Sequence, residues 1–150
     1  MLSGNAAQGA PLTLTEHSGI VNYEPTELVL TARAVTPLAE VEAALAAEGQ
    51  ALAFEPPHFA GNGALVGAIA AGLSGPGRPY AGSVRDMVLG IRLLNGRGEV
   101  MRFGGEVMKN VAGYDVSRLN VGALGTLGVI LEVSLKVLPA PKTTTTLRFD

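Results

Sequence analysis

Alternation of apolar and polar residues is the clearest pattern along this chain, and it predicts five β-strands. These strands cover residues 20–23, 27–33, 87–94, 99–103 and 129–137. The third and fourth flank the sequence NGRG at residues 95–98, which is typical of a β-hairpin turn. In the fifth, apolar residues alternate with Glu132, Ser134 and Lys136, which predicts a strand with one solvated face.

Helical spacing of apolar residues replaces this alternation over residues 37–48. Pro37 suits the first turn of a helix there, and Gly49 suits its end. The predicted helix lies between the strand at residues 27–33 and a further predicted strand at residues 51–54. This order of elements predicts a βαβ unit.

A second predicted helix covers residues 64–72, where the sequence ALVGAIAAG consists mostly of very small residues. Small side chains let a helix lie close to a strand or to a ligand. One helical turn is also predicted at residues 115–119.

Composition and charge exclude several classes of protein. The chain has 150 residues, 47% of them hydrophobic and 16% charged, enough for the core of one domain. Its formal net charge is −2 and it has no basic block, so nucleic acid is not an expected partner. The longest apolar run, residues 64–73, is far shorter than the ~20 residues of a membrane span. Without cysteine there is no disulfide and no Cys-ligated cluster, and the isolated His17 and His58 predict no metal site.

Glycine accounts for 20 residues and is concentrated at residues 61–82 and 104–128. Two interpretations of these segments are open. One is ordinary structure, namely tight turns, a bulge and close packing of a helix on a sheet. The other is a backbone surface left bare for a flat or anionic ligand.

The spacing of Gly61, Gly63 and Gly67 approaches the dinucleotide fingerprint of Rossmann folds. However, it follows a proline pair rather than a strand, and the acidic residue near the expected offset, Asp86, precedes a strand instead of ending one. A nicotinamide site is therefore disfavoured. A Walker loop is excluded because Gly72 is followed by leucine rather than lysine.

Polar residues Lys109, Asn110 and Tyr114 stand in a loop that is otherwise made of small residues. They are either hydrogen-bonding groups of the loop itself or the polar rim of a site. No catalytic base can be assigned, since two distant histidines give no readable Ser-His-Asp arrangement.

Three segments carry a resemblance to a known family. They are SGPGRPYAGSVRDMVLG at residues 74–90, FGGEVMKNVAGYDVSRL at residues 103–119 and GTLGVI at residues 125–130. With them the chain resembles the FAD-binding domain of the vanillyl-alcohol-oxidase (PCMH) type, and within it the E subunits of bacterial glycolate oxidase. The resemblance extends over residues 19–141.

This resemblance implies an α+β fold with FAD held between two α/β subdomains, mainly by backbone groups. The residues implied to bind FAD are Gly63, Ala64, Leu65, Val66, Gly67, Ala68, Gly72, Leu73, Ser74, Gly75, Gly82, Ser83, Arg85, Asp86, Gly125, Thr126, Leu127, Gly128, Val129 and Ile130. Three positions depart from the family pattern. Leu65 replaces the usual threonine, Ala68 the second glycine and Leu124 the usual glutamate.

The resemblance also implies a domain organisation. Residues 1–138 are expected to form a partial FAD-binding domain that lacks its first phosphate-loop strand. Residues 139–150 are expected to be a linker and the start of a cap domain.

Two hypotheses for function follow from the resemblance. The first is an FAD-binding subunit of a cytoplasmic complex that oxidises glycolate, a 2-hydroxy acid, with a second flavin subunit and an iron–sulfur subunit as partners. Any contact of such a complex with the inner membrane is expected to be peripheral. The alternative is a structural or assembly subunit that keeps the fold but does not bind FAD.

Overall fold

The computed structural model describes residues 9–59, 63–105 and 113–149. Its strands are β1 (Ile20–Glu24), β2 (Val29–Arg33), β3 (Gln50–Ala51), β4 (Val88–Leu94), β5 (Val100–Gly104), β6 (Val129–Lys136) and β7 (Leu138–Pro139). Its helices are α1 (Leu38–Ala47), α2 (Leu65–Ala70), α3 (Arg78–Ala81), α4 (Val84–Met87) and α5 (Val116–Leu119). In these three described ranges, no helix combines the length and the apolar character needed to cross a bilayer.

The strands form two sheets. Five of them lie in the order β1-β2-β6-β4-β5, and β3 pairs with β7 in a separate ladder. All of these ladders are antiparallel. Together with the helices, the sheets confirm the α+β class predicted from the sequence.

The predicted βαβ unit is wrong. Strand β2 has β1 on one side and β6 on the other, so neither of its edges is free for a parallel neighbour. Helix α1 therefore leads the chain out of the five-stranded sheet to β3, which pairs with β7 instead. The helix itself was predicted correctly, because its apolar stripe is a local signal.

The β4–β5 hairpin confirms the turn predicted at residues 95–98. The side-chain oxygen of Asn95 accepts hydrogen bonds from the backbone N–H of Arg97 at 2.8 Å and of Glu99 at 3.0 Å. One short side chain thus satisfies two turn donors, which is why this composition specifies the turn locally.

The core lies between the five-stranded sheet and the helices α1 and α2. From the sheet, Leu30 and Val133 are fully buried, and from the helices, Leu38, Leu45 and Ile69 are buried to 1% exposure or less. All five belong to one continuous hydrophobic cluster. This cluster fixes α2 against β6 and so positions the segments that carry the predicted site.

The prediction that β6 has one solvated face is wrong. Glu132 and Ser134 on that face are only 7% and 9% exposed. The register against β4 also slips by one residue at Leu131, because Arg92 pairs with Glu132 whereas the next residue along β4 pairs with Ile130. This β-bulge brings Ile130 into the core and breaks the strict alternation that the sequence pattern assumed.

Candidate cofactor-binding site

A cavity of about 310 Å³ lies between α2 and the turn that precedes β6. Its lining among the described residues consists of Leu14, Ala34, Val35, Ala64, Val66, Gly67, Ala70, Leu124, Gly125, Gly128, Val129 and Ile130. Every one of these side chains is apolar or absent. The cavity can therefore hold a flat apolar or heteroaromatic group, with hydrogen bonds coming from the backbone.

Helix α2 forms one wall of the cavity. Its first N–H, that of Leu65, donates to the carbonyl of Thr36 at 3.0 Å, and the side chains of Leu65 and Ile69 are fully buried in the core. The opposite side of the helix carries Gly67. A Cβ built on Gly67 would have no described atom within 4 Å.

The turn that follows α5 forms the other wall and is tied to the end of α2. The backbone N–H of Gly122 donates to the carbonyl of Ile69 at 3.1 Å, and that of Leu124 donates to Ala70 at 2.8 Å. A Cβ on Gly72 would lie 3.1 Å from the Cα of Gly122, so the two glycines allow the backbones to meet. These contacts hold both walls at a fixed separation.

Three residues that line the cavity have a positive φ, namely Leu124, Gly125 and Gly128, and φ is 152° at Gly128. Leu124 has a φ of 53° and Gly125 a φ of 75°. Glycine adopts this region freely, whereas leucine does so at a cost in conformational energy. The departure from the family pattern at Leu124 therefore falls on a strained residue that lines the cavity.

The structure brings seven of the twenty predicted residues together in this cavity: Ala64, Val66, Gly67, Gly125, Gly128, Val129 and Ile130. Leu65 and Ala68 lie on the same helix but are buried at 0% and 6% exposure, so their side chains belong to the core. Gly63 packs on Leu38, whose Cδ1 would lie 3.0 Å from an added Cβ.

Two more predicted residues belong to the turn but do not line the cavity. The hydroxyl of Thr126 donates to the carbonyl of Ala123 at 2.7 Å, so it stabilises the turn. The side chain of Leu127 is half exposed. Both residues lie next to cavity residues in sequence, but the Thr126 hydroxyl is hydrogen-bonded within the turn and the Leu127 side chain is half exposed to solvent.

The predicted residues at 72–75 lie outside the cavity lining, and most have a structural use. An added Cβ on Gly75 would come within 2.7 Å of the carbonyl of Glu55, so only glycine fits there. The hydroxyl of Ser74 accepts a hydrogen bond from the N–H of Val84 at 3.0 Å, which joins this loop to α4. Leu73 continues the end of α2, where its N–H donates to Ala68 at 2.9 Å.

The predicted residues at 82–86 form a capped turn at the start of α4. The carboxylate of Asp86 accepts hydrogen bonds from both the N–H and the hydroxyl of Ser83 at 2.8 Å. These bonds, together with the nearby positive charges of Arg118 and Arg78, lower the pKa of Asp86. Arg85, between them, has an exposed side chain, and Gly82 has a φ of 89° that closes the turn.

Some of the residues singled out by sequence lie outside the described residues. These are Gly61, Lys109 and Asn110. Tyr114 is described, and its side chain is 97% exposed.

Five cavity residues are absent from the predicted set: Leu14, Ala34, Val35, Ala70 and Leu124. Of these, Leu124 had been named only as a departure from the family pattern. Ala34 and Val35 directly follow β2, where the pattern predicted only the end of a strand. Ala70 lies within the predicted small-residue helix, one turn after Gly67, and helical spacing alone indicates that the two share a side. Leu14 is distant in sequence, and no local signal connects it with the site.

Comparison with known proteins identifies the family of this chain. Residues 1–104 match the family described as the FAD binding domain. Since the match covers more than half of the chain, the chain belongs to this family, which confirms FAD as the cofactor of its class.

Among curated proteins, the chain is 57% identical over 145 residues to the glycolate oxidase subunit GlcE of Escherichia coli, a match covering 97% of this chain and 41% of that protein. It is 31% identical over 134 residues to a D-lactate dehydrogenase of Anaerostipes hadrus, covering 89% of this chain and 28% of that one. The chain thus spans less than half the length of these relatives.

Among solved structures, an alkyldihydroxyacetonephosphate synthase matches with a TM-score of 0.68 at 24% identity. The match covers 85% of this chain and 22% of that one. At this identity the likeness concerns the fold alone.

The residues present fit part of an FAD molecule. Ligand pockets generally have volumes of about 300–1,000 Å³, and this cavity lies at the lower end of that range. It therefore suits one flat portion of the dinucleotide rather than the whole. The open position beside Gly67 leaves room for a ring against the helix backbone.

Proposed function

We propose that this chain holds FAD in a complex that oxidises a small 2-hydroxy acid, with glycolate as the preferred substrate. The observation that carries the proposal is Gly67. It lies inside a helix, where glycine costs about 1 kcal/mol relative to alanine, yet neither a positive φ nor a close neighbour among the described residues requires it. A ligand stacked on this side of α2 supplies the missing reason.

The role of the chain's own residues is to bind and orient the cofactor. Bound FAD supplies the acceptor for the hydride equivalent of the substrate. The apolar lining, with Val66, Val129 and Ile130, excludes water from one ring of the cofactor, and the glycines bring backbone amides close to it. We assign the remaining predicted residues, around Ser74 and Asp86, to other parts of the same ligand.

The substrate class rests on what the relatives share. Their names specify glycolate oxidase, D-lactate dehydrogenase and D-2-hydroxyglutarate dehydrogenase, whose substrates all carry a hydroxyl group beside a carboxylate. The described lining of the cavity contains no titratable side chain. We therefore place the base that removes the substrate proton, and the cation that binds its carboxylate, outside this cavity.

We further propose the organisation implied by the resemblance. Residues 1–138 form part of the FAD-binding domain, and residues 139–150 form a linker and the start of a cap that covers the flavin. A second flavin subunit and an iron–sulfur subunit are the partners. The complex lies in the cytoplasm and contacts the inner membrane only peripherally.

Reconstitution tests whether the chain binds FAD. The purified chain is incubated with excess FAD, desalted, and its visible absorption spectrum is recorded. Retained flavin in a fixed ratio to protein supports the proposal. A colourless folded chain, shown to be folded by circular dichroism, favours the alternative of a structural subunit. NADH in place of FAD is the control. A melting temperature raised by NADH but not by FAD would support a nicotinamide enzyme instead.

A further inference from the structure

The face of the five-stranded sheet that is turned away from the cofactor cavity carries two rows of directly opposed residues. Strand register places one row across β2, β6, β4 and β5 as Thr31, Ser134, Gly90 and Gly104. It places the neighbouring row across the same strands as Arg33, Glu132, Arg92 and Arg102.

Alternation along the strands separates this face from the core. Thr31 stands between the buried Leu30 and Ala32, and Ser134 stands between the buried Val133 and Leu135. Because successive side chains point to opposite faces, the polar rows lie across the sheet from α2. None of these polar residues is used by the proposed cofactor site.

A cavity of about 300 Å³ lies on this polar face. Its base is formed by the small row of Ser134 and Gly90, and charged side chains of the other row, those of Arg92, Arg102 and Glu132, line it as well. The pairing of small residues beside long charged ones is what creates a cleft on an otherwise flat sheet.

The charges in this cleft do not balance. The guanidinium of Arg92 binds the carboxylate of Glu132 at 2.7 Å, and this pair is neutral overall. Arg102, opposite Arg92 on β5, has no acidic partner among the described residues. Arg102 therefore carries a positive charge that no described carboxylate compensates, so an anion beside it is favoured. Arg33 is engaged elsewhere, since its Nη1 donates to the carbonyl of Ser18 at 3.1 Å.

The two hydroxyl groups in the cleft, those of Thr31 and Ser134, have one more proton than their mutual hydrogen bond needs. The Oγ1 of Thr31 and the Oγ of Ser134 are 2.8 Å apart, and only one of the two hydroxyl protons is used in that hydrogen bond. The other can be donated to a further acceptor. Both residues are less than 10% exposed, so a hydroxyl proton left without an acceptor there would have a desolvation cost that a bound anion would remove.

We propose that this cleft binds a small monocarboxylate anion, with Arg102 as its principal cation and the Thr31–Ser134 hydroxyl pair as a donor. A guanidinium matches the two oxygens of a carboxylate in one plane. Because the Arg92–Glu132 pair is neutral, the positive charge of Arg102 is balanced by one negative charge, whereas a doubly charged phosphate would leave the cleft with a net negative charge. The site is distinct from the cofactor cavity and does not depend on the proposed function.

Acetate is the probe, and the full chain without FAD is the sample. Backbone and arginine side-chain ¹H–¹⁵N spectra are recorded during titration with sodium acetate at constant ionic strength, balanced with sodium chloride. We expect saturable shifts at Gly90, Gly104 and the Nε–H of Arg102. Arg102→Gln is expected to weaken binding at least about tenfold. Arg97→Gln, an equal charge change in the turn of the same hairpin, is expected to leave it unchanged.

Three results would overturn the proposal. They are linear shifts without saturation, an equal loss of binding in the Arg102 and Arg97 variants, and phosphate binding that is as tight as acetate binding. Saturable binding in the parent chain that is lost only in Arg102→Gln supports it. Since Arg102 is exposed, its replacement is expected to leave the fold intact, and the unchanged remainder of the spectrum verifies this.

Discussion

Substitutions of Gly67 test whether α2 needs glycine at this position for packing or for binding a ligand. If glycine is needed only for packing, alanine at this position should reduce stability. Because an added Cβ would meet no described atom within 4 Å, we expect the reverse. Gly67→Ala should raise the free energy of unfolding by about 0.5–1 kcal/mol, the usual gain for alanine over glycine in a helix.

A larger side chain at the same position tests the ligand. Gly67→Leu places a branched side chain into a cavity of about 310 Å³. Forcing extra atoms into an occupied space typically costs about 1–3 kcal/mol. We therefore expect the Kd for FAD to rise by about 5- to 150-fold, while the free chain stays at least as stable as its parent.

The assay is a fluorescence titration of FAD with each variant, accompanied by urea denaturation without ligand. Gly96→Leu is the matched control, because Gly96 also has no described neighbour within 4 Å and lies in the hairpin turn away from the cavity. Unchanged FAD affinity in Gly67→Leu would refute the reasoning, as would an equal loss of affinity in the Gly96 variant. Destabilisation by Gly67→Ala would show that packing, not a ligand, requires the glycine.

Three further predictions concern strain, a buried charge and pH. Leu124→Gly should raise the free energy of unfolding by about 0.5–1 kcal/mol in urea, because it removes the left-handed strain of Leu124 (φ 53°); a decrease would contradict this. Arg92→Leu should lower it by about 1–3 kcal/mol, since Glu132 stays buried without its partner, and adding Glu132→Gln should restore part of the loss. The pKa of Asp86 is lower in the folded chain than its ordinary value of 3.8. Its carboxylate therefore stabilises the fold above pH 3.8, and this stabilisation is lost as the pH falls through the folded pKa. In Asp86→Asn the free energy of unfolding should therefore fall less steeply as the pH is lowered below about 4. An unchanged pH dependence would contradict the stabilising role of the Asp86 carboxylate.

Local signals in the sequence predicted most of the secondary structure. The apolar stripe of α1 and the turn at residues 95–98 depend only on neighbouring residues, and both elements are present. The prediction of a βαβ unit was wrong because the choice between a parallel and an antiparallel neighbour for β2 depends on β6, about a hundred residues later. The prediction of a solvated face on β6 was wrong for a related reason, because Arg92 and Thr31 on other strands provide hydrogen-bond partners for the polar side chains of β6.

The candidate site was predicted in part, because its residues came from a resemblance rather than from geometry. The segments around Gly67 and Gly128 do meet at one cavity. Sequence could not tell which of their side chains face it, since Leu65 and Val66 are neighbours on one helix and only Val66 lines the cavity. Leu14 could not be found at all, because its approach depends on the tertiary fold.

Distances now separate the two interpretations of glycine that the sequence left open. At Gly75 and Gly128 an added Cβ would come within 3 Å of a carbonyl oxygen, and at Gly72 and Gly82 a positive φ requires glycine. Ordinary structure is enough to explain these four, whatever they bind. Gly67 alone among the described glycines assigned to the cofactor has neither a positive φ nor a described atom within 4 Å of an added Cβ. The ligand-binding interpretation therefore depends on this one residue far more than on the abundance of glycine that first indicated a site.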